Sequence, residues 1–302
     1  QRQMCIRDRH ATSSIFEIEF INSLDIKQCP FCGSNDFIKY SHKKDGTQRY
    51  ICKECGKHFT ALMNTIFDSK KTPIFEWIEY LLHLFEFHSI NSTAYDNRNS
   101  PTTGKYWLIK TFEVLKGIQD DVVLDGTVYL DETYFTKVRS KLVTKDGKKL
   151  RGISRNKIGV GVACNETKSI FIVTGTSKPS RKSTIETYGK HIARGSVLVH
   201  DDEHSHSILI EELELESKVY PTKVTKGLSD KDNPLYPVNN LHLLLKQFIR
   251  NHGAYVREHP QEWLSIFWFI MNEPKDMYKL TSGHISLFQM SLKILFIFMH
   301  SS

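Results

Sequence analysis

Two Cys-x-x-Cys pairs constrain the fold of this chain more than any other feature of its sequence. The pairs are Cys29-Pro-Phe-Cys32 and Cys52-Lys-Glu-Cys55, each followed directly by glycine, and 19 residues separate them. Four thiolates satisfy the tetrahedral coordination of a structural zinc ion, and each glycine permits a tight turn. Because an Asp45-Gly46 turn lies between the pairs, a hairpin is expected to bring them together. Residues 25–64 are therefore predicted to form a small, β-rich zinc ribbon.

Other uses of these cysteines stay open at the level of sequence. Two disulfides or four free thiols are the alternatives, although six cysteines among 302 residues are too few for a disulfide scaffold. A catalytic zinc ion is disfavoured because four cysteine ligands leave no open coordination position for water. This use of cysteine indicates a reducing compartment, so we expect the protein to be cytoplasmic.

The length and composition are those of a folded protein with more than one domain. A chain of 302 residues suggests two domains with room for a small third. Hydrophobic residues make up 40% and charged residues 25%, which is ordinary for globular proteins and excludes wholesale disorder. No run reaches the ~18 apolar residues of a membrane span, and the N-terminus lacks the layout of a signal peptide, so no membrane partner is expected.

Positive charge is concentrated in one stretch of the chain. The 41 basic residues exceed the 34 acidic residues to give a formal charge of +7, which permits a polyanionic partner without requiring one. From 137 to 157, however, nine basic residues accompany a single acid. Either this stretch lies along nucleic acid or it is a solvated surface hairpin. On the first interpretation, the residues that contact DNA are Lys148, Lys149, Arg151 and Arg155.

A helical segment is predicted after the ribbon. Apolar residues recur at helical spacing over 73–88, and two shorter helices are expected over 89–115, with Ser100 or Thr102 as the cap of the second. That second helix carries Lys105 and Lys110 and would be the recognition helix of a helix-turn-helix. Helix pairs joined by polar turns occur in many folds, so the pattern alone leaves the DNA-reading role open.

Beyond residue 126 the pattern changes to short strands with interspersed helices. The expected strands are 128–130, 158–163, 170–174 and 197–199, and the helical patterns are 183–192, 205–215 and 238–252. This order predicts an α/β domain built on a mixed sheet.

Two aspartates follow apolar runs in this region. Asp131 comes after Val-Tyr-Leu and Asp201 after Val-Leu-Val-His, so each is expected at the end of a strand. Such a pair can hold hard divalent cations, and in a two-metal site it serves phosphoryl transfer. Each aspartate alone could instead be a helix cap or a turn residue. Asp202 directly follows Asp201 and leaves the second ligand open by one residue.

The run from His200 to His204 also matches the His-x-x-Glu-His pattern of a zinc peptidase. That chemistry needs both histidines on one face of a helix, whereas an apolar strand pattern leads directly into His200. We therefore disfavour the peptidase interpretation. His204 and His206 are expected either to support the aspartates or to lie on the surface.

Asn239 and Lys246 complete the set of candidate residues. They are seven residues apart, which is about two helical turns, so both project from nearly the same face of a helix. An asparagine amide oxygen can ligate a cation, and a lysine can hold a DNA phosphate. Taken alone, Asn239 is better explained as a helix N-cap.

Together these residues resemble the zinc-ribbon-bearing bacterial insertion-sequence transposases of the DDE class, in the group with the signature Asp, Asp, Asn or Glu, then Lys. The resemblance covers about residues 25–275 and depends on the order and spacing of the matching stretches. They are Cys-Pro-Phe-Cys-Gly, Cys-Lys-Glu-Cys-Gly-Lys, Asn64-Thr-Ile-Phe, Tyr129-Leu-Asp-Glu-Thr-Tyr-Phe, Arg151-Gly-Ile-Ser-Arg, His200-Asp and Val238-Asn, with Lys246 seven residues after Asn239.

The resemblance implies a ribonuclease-H-like catalytic domain, which is an α/β fold with a mixed sheet and flanking helices. Asp131 would lie on the first strand, Asp201 just after the fourth, and Asn239 with Lys246 on a following helix. The first three residues would hold two Mg²⁺ or Mn²⁺ ions, and Lys246 would position phosphate. Asn239 stands where many relatives carry glutamate. The implied reaction is metal-dependent cleavage at the ends of a mobile element, followed by attack of the freed 3′-hydroxyl on target DNA.

The resemblance also implies a division into domains and a set of partners. The ribbon and the helical segment would recognise terminal inverted repeats, and a homo-oligomer is expected on DNA. The rival hypothesis is a catalytically inactive remnant that acts as a zinc-ribbon DNA-binding protein. The expected segments are 1–24, of which 1–10 resemble translated adaptor sequence, the ribbon 25–64, the helical DNA-binding segment 65–122, the transposase domain 123–274 and a tail of uncertain origin, 275–302.

Overall fold

The structure is a computed structural model with two compact units, the first ending at Val114 and the second beginning at Leu115. The predicted finer division into ribbon, helical segment and catalytic domain stays a prediction. No helix among the described residues is long and apolar enough to cross a membrane. The structure describes residues 15, 17–65, 67–68, 72–96, 99–136, 144–148, 152–153, 157–252 and 258–272.

The first unit contains a three-stranded antiparallel sheet preceded by a helical stretch at 17–23. Its strands pair in chain order and are β1 (Phe37–His42), β2 (Gln48–Cys52) and β3 (His58–Phe59). The predicted hairpin joins β1 to β2. Gly46 has a φ of 92°, and the Thr47 amide donates to the Asp45 carboxylate at 2.9 Å. Since glycine tolerates positive φ at little cost and aspartate accepts such local bonds, this dipeptide fixes the turn.

Three helices complete the first unit. They are α1 (Ile74–Phe85), α2 (Ile90–Asp96) and α3 (Pro101–Val114). Gly104 of α3 lies at van der Waals distance from Ala94 of α2, since a Cβ at this position would lie 3.5 Å from the Ala94 Cβ. Trp77 of α1 stacks on Trp107 of α3 with ring centroids 5.6 Å apart. The two shorter helices predicted after α1 are therefore present and packed together.

A five-stranded mixed sheet forms the centre of the second unit. Its strands are β4 (Thr127–Thr136), β5 (Lys157–Cys164), β6 (Ser169–Gly175), β7 (Val197–His200) and β8 (Glu216–Val219). The order across the sheet is β6-β5-β4-β7-β8. The pairings of β5 with β4 and β6 are antiparallel, and those of β7 with β4 and β8 are parallel.

Helices cover both faces of this sheet. They are α4 (Arg181–Tyr188), α5 (Ser207–Leu213), α6 (Thr222–Thr225), α7 (Tyr236–His252) and α8 (Pro260–Asn272). On one face, Leu130 of β4 belongs to a buried cluster with Tyr188 of α4 and Leu209 of α5. On the other, Phe171 of β6 packs against Phe267 of α8. The fold is mixed α/β, with a five-stranded mixed sheet and flanking helices, as the sequence predicts.

Two element boundaries differ from the sequence prediction by four residues or more. Strand β4 continues to Thr136, so the expectation that Asp131 ends a strand is wrong. The reason is the antiparallel partner β5, which pairs with β4 from Tyr129 to Thr136. Helix α4 ends at Tyr188 rather than near residue 192, and Gly189 follows it.

Candidate active site

Asp131 and Asp201 meet where the parallel pairing of β4 with β7 stops. The last residues in register are Leu130 and His200, and each aspartate is the next residue along the chain. Strand β4 continues past Asp131, whereas its parallel neighbour β7 ends at His200. The structure therefore brings together the two aspartates that the sequence singles out.

The carboxyl group of Asp131 is poised between its two protonation states at neutral pH. The pKa of Asp131 is raised to about 7. Burial is the largest cause, and the negative charges of Asp201 and Glu132 add to it. The Glu132 amide donates to Oδ1 of Asp131 at 2.8 Å and holds the side chain in place. A nearby positive charge, such as that of a divalent cation, would stabilise the ionised form of this carboxyl group.

Asp201 lies closer to solvent than Asp131, with 29% of its side chain exposed. The Glu203 amide donates to Oδ1 of Asp201 at 3.0 Å, and burial raises the pKa of this carboxyl group as well. Asp202 is exposed on the surface. The charge of Asp201 acts on Asp131, so of the two neighbouring aspartates Asp201 is the one beside the candidate site.

Helix α7 presents one face to this pair of carboxylates. His242 is buried, and its Nδ1 lies 3.7 Å from Oδ2 of Asp131. Burial lowers the pKa of His242 to about 4, and the positive charge of Lys246 lowers it too. At helical spacing Asn239, His242 and Lys246 share one side of α7, because positions three, four and seven apart lie above one another.

Asn239 is exposed and lies inside the first turn of α7. Its backbone amide donates to the Leu235 carbonyl at 3.0 Å, so it takes part in the helical hydrogen bonding. The reading of Asn239 as an N-cap is therefore wrong, since the helix already begins at Tyr236. Its side chain is exposed at the N-terminal end of α7.

A buried polar network lies on the opposite face of β4, and sequence reasoning missed it. Tyr188 Oη donates to Oε1 of Glu132 at 2.9 Å, and His206 Nε2 lies 3.2 Å from both carboxylate oxygens. Burial alone would raise the pKa of Glu132, but His206 and Tyr188 lower it below its usual value. Burial alone would lower the pKa of His206, but Glu132 raises it. Glu132 and His206 thus form a buried ion pair directly beneath Asp131.

The signal for this network in the sequence is weak. His206 is fully buried, with its Nδ1 3.9 Å from Oδ1 of Asp201, so it takes the supporting role that is one of the two expectations. His204 is exposed and lies on the surface, which is the other. Strand β7 ends at His200, and the helical turn His204–His206 begins four residues later. The two histidines of the peptidase pattern are therefore not on one helix, and the disfavoured interpretation is excluded.

The four cysteines of the ribbon form a separate cluster in the first unit. Their sulfur atoms all lie within 4.8 Å of one another, and the pairs Cys29–Cys55 and Cys32–Cys52 are 3.8 and 3.6 Å apart. Tetrahedral zinc with Zn–S bonds of about 2.3 Å requires sulfur–sulfur separations of about 3.8 Å. All four thiols are free rather than joined in disulfides, so the donor set fits a structural zinc ion.

The predicted DNA-binding residues are only partly within the described chain. Lys105 is exposed on α3, and Lys110 on the same helix lies 5.3 Å from the ring centroid of Tyr106. Ser100 caps α3, because its Oγ accepts the Thr103 amide at 3.2 Å. Lys148 is exposed in the turn at 144–148, whereas Lys149, Arg151 and Arg155 lie outside the described residues.

Comparisons with known proteins were made at the level of sequence and of structure. No family model matches the chain. No curated protein matches either. A solved structure of the catalytic domain of Mos1 mariner transposase shares 14% identity, covering 59% of this chain and 93% of that chain, with a TM-score of 0.28. A pre-cleavage Mos1 transpososome shares 14% identity over 72% of this chain and 82% of that chain, with a TM-score of 0.25.

A simian T-cell lymphotropic virus intasome, solved in complex with PP2A regulatory subunit B56 gamma, is similar at a comparable level. It shares 10% identity over 65% of this chain and 68% of that chain, with a TM-score of 0.31.

Proposed function

We propose that this chain is a DNA transposase of the DDE class, which cleaves the ends of a bacterial insertion sequence and transfers the 3′-hydroxyl into target DNA. The observation that carries the proposal is the meeting of Asp131 and Asp201 where the parallel pairing of β4 with β7 stops, with His242 of α7 beside Asp131 on the side of the helix that also bears Asn239 and Lys246. Two carboxylates in such a position suit divalent cations, which prefer oxygen ligands.

Asp131, Asp201 and Asn239 are the residues that would hold two Mg²⁺ or Mn²⁺ ions. Such ions supply Lewis-acid stabilisation of both the attacking and the leaving oxygen in phosphoryl transfer. Asp131 must lose its proton to act as a ligand, and its pKa of about 7 allows this near neutral pH. His242 stays neutral there, since burial and Lys246 lower its pKa to about 4, so it adds no charge that would compete with a cation.

Lys246 is exposed on the same side of α7 and would hold a DNA phosphate near the carboxylates. The donor set of one amide and two carboxylates carries less negative charge than three carboxylates would. A weaker hold on Mg²⁺ is expected from this difference, because ligand charge tunes the affinity of oxygen sites for divalent cations.

DNA recognition is assigned to the first unit. Zinc would bind to the thiols of Cys29, Cys32, Cys52 and Cys55 and so stabilise the ribbon. Helix α3 would present Lys105 and Lys110 to terminal repeats. Lys148 and the neighbouring basic residues would follow the DNA backbone. A homo-oligomer on DNA belongs to the same proposal, because an element has two ends that must be joined together. A cytoplasmic location is proposed as well.

The test is cleavage of DNA that carries the sequences flanking this coding region. We expect the parent protein to cut such DNA with Mn²⁺ or Mg²⁺, and Asp131→Asn and Asp201→Asn to lose cleavage by 10³-fold or more, on the order expected when a metal ligand is removed. The exposed neighbour Asp202→Asn is the matched control and should keep parental activity.

Binding to the same DNA separates this proposal from its rival. A protein that binds the flanking sequences through the ribbon, but never cuts them in any divalent metal, would be a non-catalytic DNA-binding remnant. Cleavage that persists in Asp131→Asn would place the catalytic site elsewhere.

A further inference from the structure

We propose that His200, Asp201 and His206 form a binding site for a first-row transition-metal ion such as Mn²⁺. The three residues each offer one ligand atom, and these atoms all lie within 4.8 Å of one another. Two imidazoles and a carboxylate are the donors that such ions accept, whereas Mg²⁺ prefers oxygen alone.

The separations of the donor atoms suit one shared ion. Nδ1 of His206 lies 3.1 Å from Nδ1 of His200 and 3.9 Å from Oδ1 of Asp201. Two ligands bonded at about 2.1 Å with angles between octahedral and tetrahedral are about 3.0 to 3.4 Å apart. The two imidazoles are therefore already at bonding separation. Oδ1 of Asp201, the partly exposed member of the set, has to approach Nδ1 of His206 by less than about 1 Å.

Each imidazole is also held by its other nitrogen. Nε2 of His206 lies 3.2 Å from the carboxylate of Glu132, and Nε2 of His200 lies 3.0 Å from Oγ of Ser217. The two Nδ1 atoms thereby face each other at 3.1 Å. Metal-binding histidines are typically oriented in this way, with a carboxylate or hydroxyl on the outer nitrogen. A shared proton between the two imidazoles is the competing explanation.

The supporting residues are themselves firmly placed. Glu132 is 4% exposed and also accepts the hydroxyl of Tyr188 at 2.9 Å. Tyr188 reaches it over Gly161, where any Cβ would lie 1.9 Å from the tyrosine oxygen. Thus Gly161 leaves the space that Tyr188 needs, Tyr188 fixes Glu132, and Glu132 fixes His206.

The inference deepens the proposed function, because Asp201 would be shared between this ion and the one at Asp131. A carboxylate that bridges two ions is a common element of two-metal sites. One position would then be rich in nitrogen and select Mn²⁺ over Mg²⁺. The inference rests on the proposed function only in this consequence, because metal binding can be measured without DNA.

The experiment uses the full chain with its ribbon loaded with zinc, and Mn²⁺ alone as the probe. Free Mn²⁺ is followed by electron paramagnetic resonance, and pulsed measurements on the bound ion detect coupling to imidazole nitrogen. We expect nitrogen coupling in the parent, and Mn²⁺ to bind at least tenfold more tightly than Mg²⁺. His206→Phe should remove at least one nitrogen coupling and weaken Mn²⁺ binding tenfold or more.

Three further variants make the result decisive. His204→Phe changes an exposed histidine two residues away and should leave binding and coupling unchanged. His242→Phe tests the histidine beside Asp131 and should also keep the coupling. Ser217→Ala alters an exposed residue on β8, so it should fold even if His206→Phe does not, and we expect it to weaken binding about tenfold.

Bound Mn²⁺ without nitrogen coupling in the parent would overturn the inference, as would coupling that survives in a folded His206→Phe and disappears in His242→Phe. Absence of Mn²⁺ binding would overturn it too. A protein that binds Mn²⁺ through His206 and still cuts no DNA would keep the metal site and refute the proposed function instead.

Discussion

Asp131 on β4 and Asp201 just after β7 occupy equivalent positions, each directly after the last residues of the parallel pairing, Leu130 and His200. They are 70 positions apart in the chain. Their proximity is therefore set by the register of β4 with β7 and not by any local motif. Burial, with the charge of Asp201, then raises the pKa of Asp131 to about 7.

Asp131→Asn should stabilise the zinc-loaded protein at pH 8 in the absence of other divalent cations. The pKa of Asp131 is raised from 3.8 to about 7, so its stabilising contribution is complete below the lower value and lost as the pH rises through the higher one. At pH 8 we expect a gain of about 2 kcal/mol in the free energy of unfolding, measured in urea. At pH 5.5, which lies between the two pKa values, about half of the gain should disappear, and Asp202→Asn should change little at either pH. An equal gain at both pH values would contradict the assignment.

Glu132→Gln should be strongly destabilising. Glu132 and His206 are 4% and 0% exposed, and breaking one partner of a buried ion pair costs about 3 kcal/mol or more. Thermal or urea unfolding at pH 7 measures the loss. Glu186→Gln removes an exposed partner of Lys182 and is the control, with an expected change within about 0.5 kcal/mol. Equal effects of the two substitutions would show that the buried network contributes no special stability.

Removal of one ribbon cysteine should release zinc. Cys52 is fully buried in the cluster of four sulfur atoms, so Cys52→Ser should reduce bound zinc from one ion per chain to near zero. Metal analysis of the purified protein measures the content, and proteolysis reports the folding of the first unit. Cys164→Ala is the control, because Cys164 is buried in β5 of the second unit and is not one of the four clustered cysteines, so its loss should leave the zinc content unchanged. Retention of zinc by Cys52→Ser would exclude the four-cysteine site.

Gly161→Ala should destabilise the second unit because its Cβ would meet Tyr188 Oη at 1.9 Å. Overpacking of this kind costs about 1–3 kcal/mol or more. The cost should fall when Tyr188 is first truncated to alanine, since the two residues share one contact. Unfolding free energies of the single and double variants measure this coupling, and simple additivity would contradict the role given to Gly161.

The parts of the fold that sequence reveals are those with a local pattern. A pattern of a few neighbouring residues identifies the Asp45-Gly46 turn, the cysteine pairs and the apolar runs of β5 and β7. No such pattern identifies strand β8, because all four of its residues are exposed and show no alternation. Its position follows from parallel pairing with β7, which is a property of the assembled sheet.

The candidate site also contains residues that a local sequence pattern identifies and residues that it does not. Asp131 and Asp201 could be selected because each follows an apolar run, and Asn239 with Lys246 because of helical spacing. The pairing of Glu132 with His206 spans 74 residues and has no local signature. Glu132 directly follows Asp131, and on a strand such neighbours face opposite sides, so nothing in the sequence indicates which face is buried.

The most direct test of the proposed catalytic role is a change of metal preference in Asp131→Cys. A thiolate binds Mn²⁺ better than it binds Mg²⁺, because Mg²⁺ strongly prefers oxygen ligands. We expect the parent to cleave flanking DNA with either ion, and Asp131→Cys to be inactive with Mg²⁺ but to recover measurable cleavage with Mn²⁺. Equal activity of Asp131→Cys and the parent in Mg²⁺ would contradict the claim that Asp131 holds a catalytic cation.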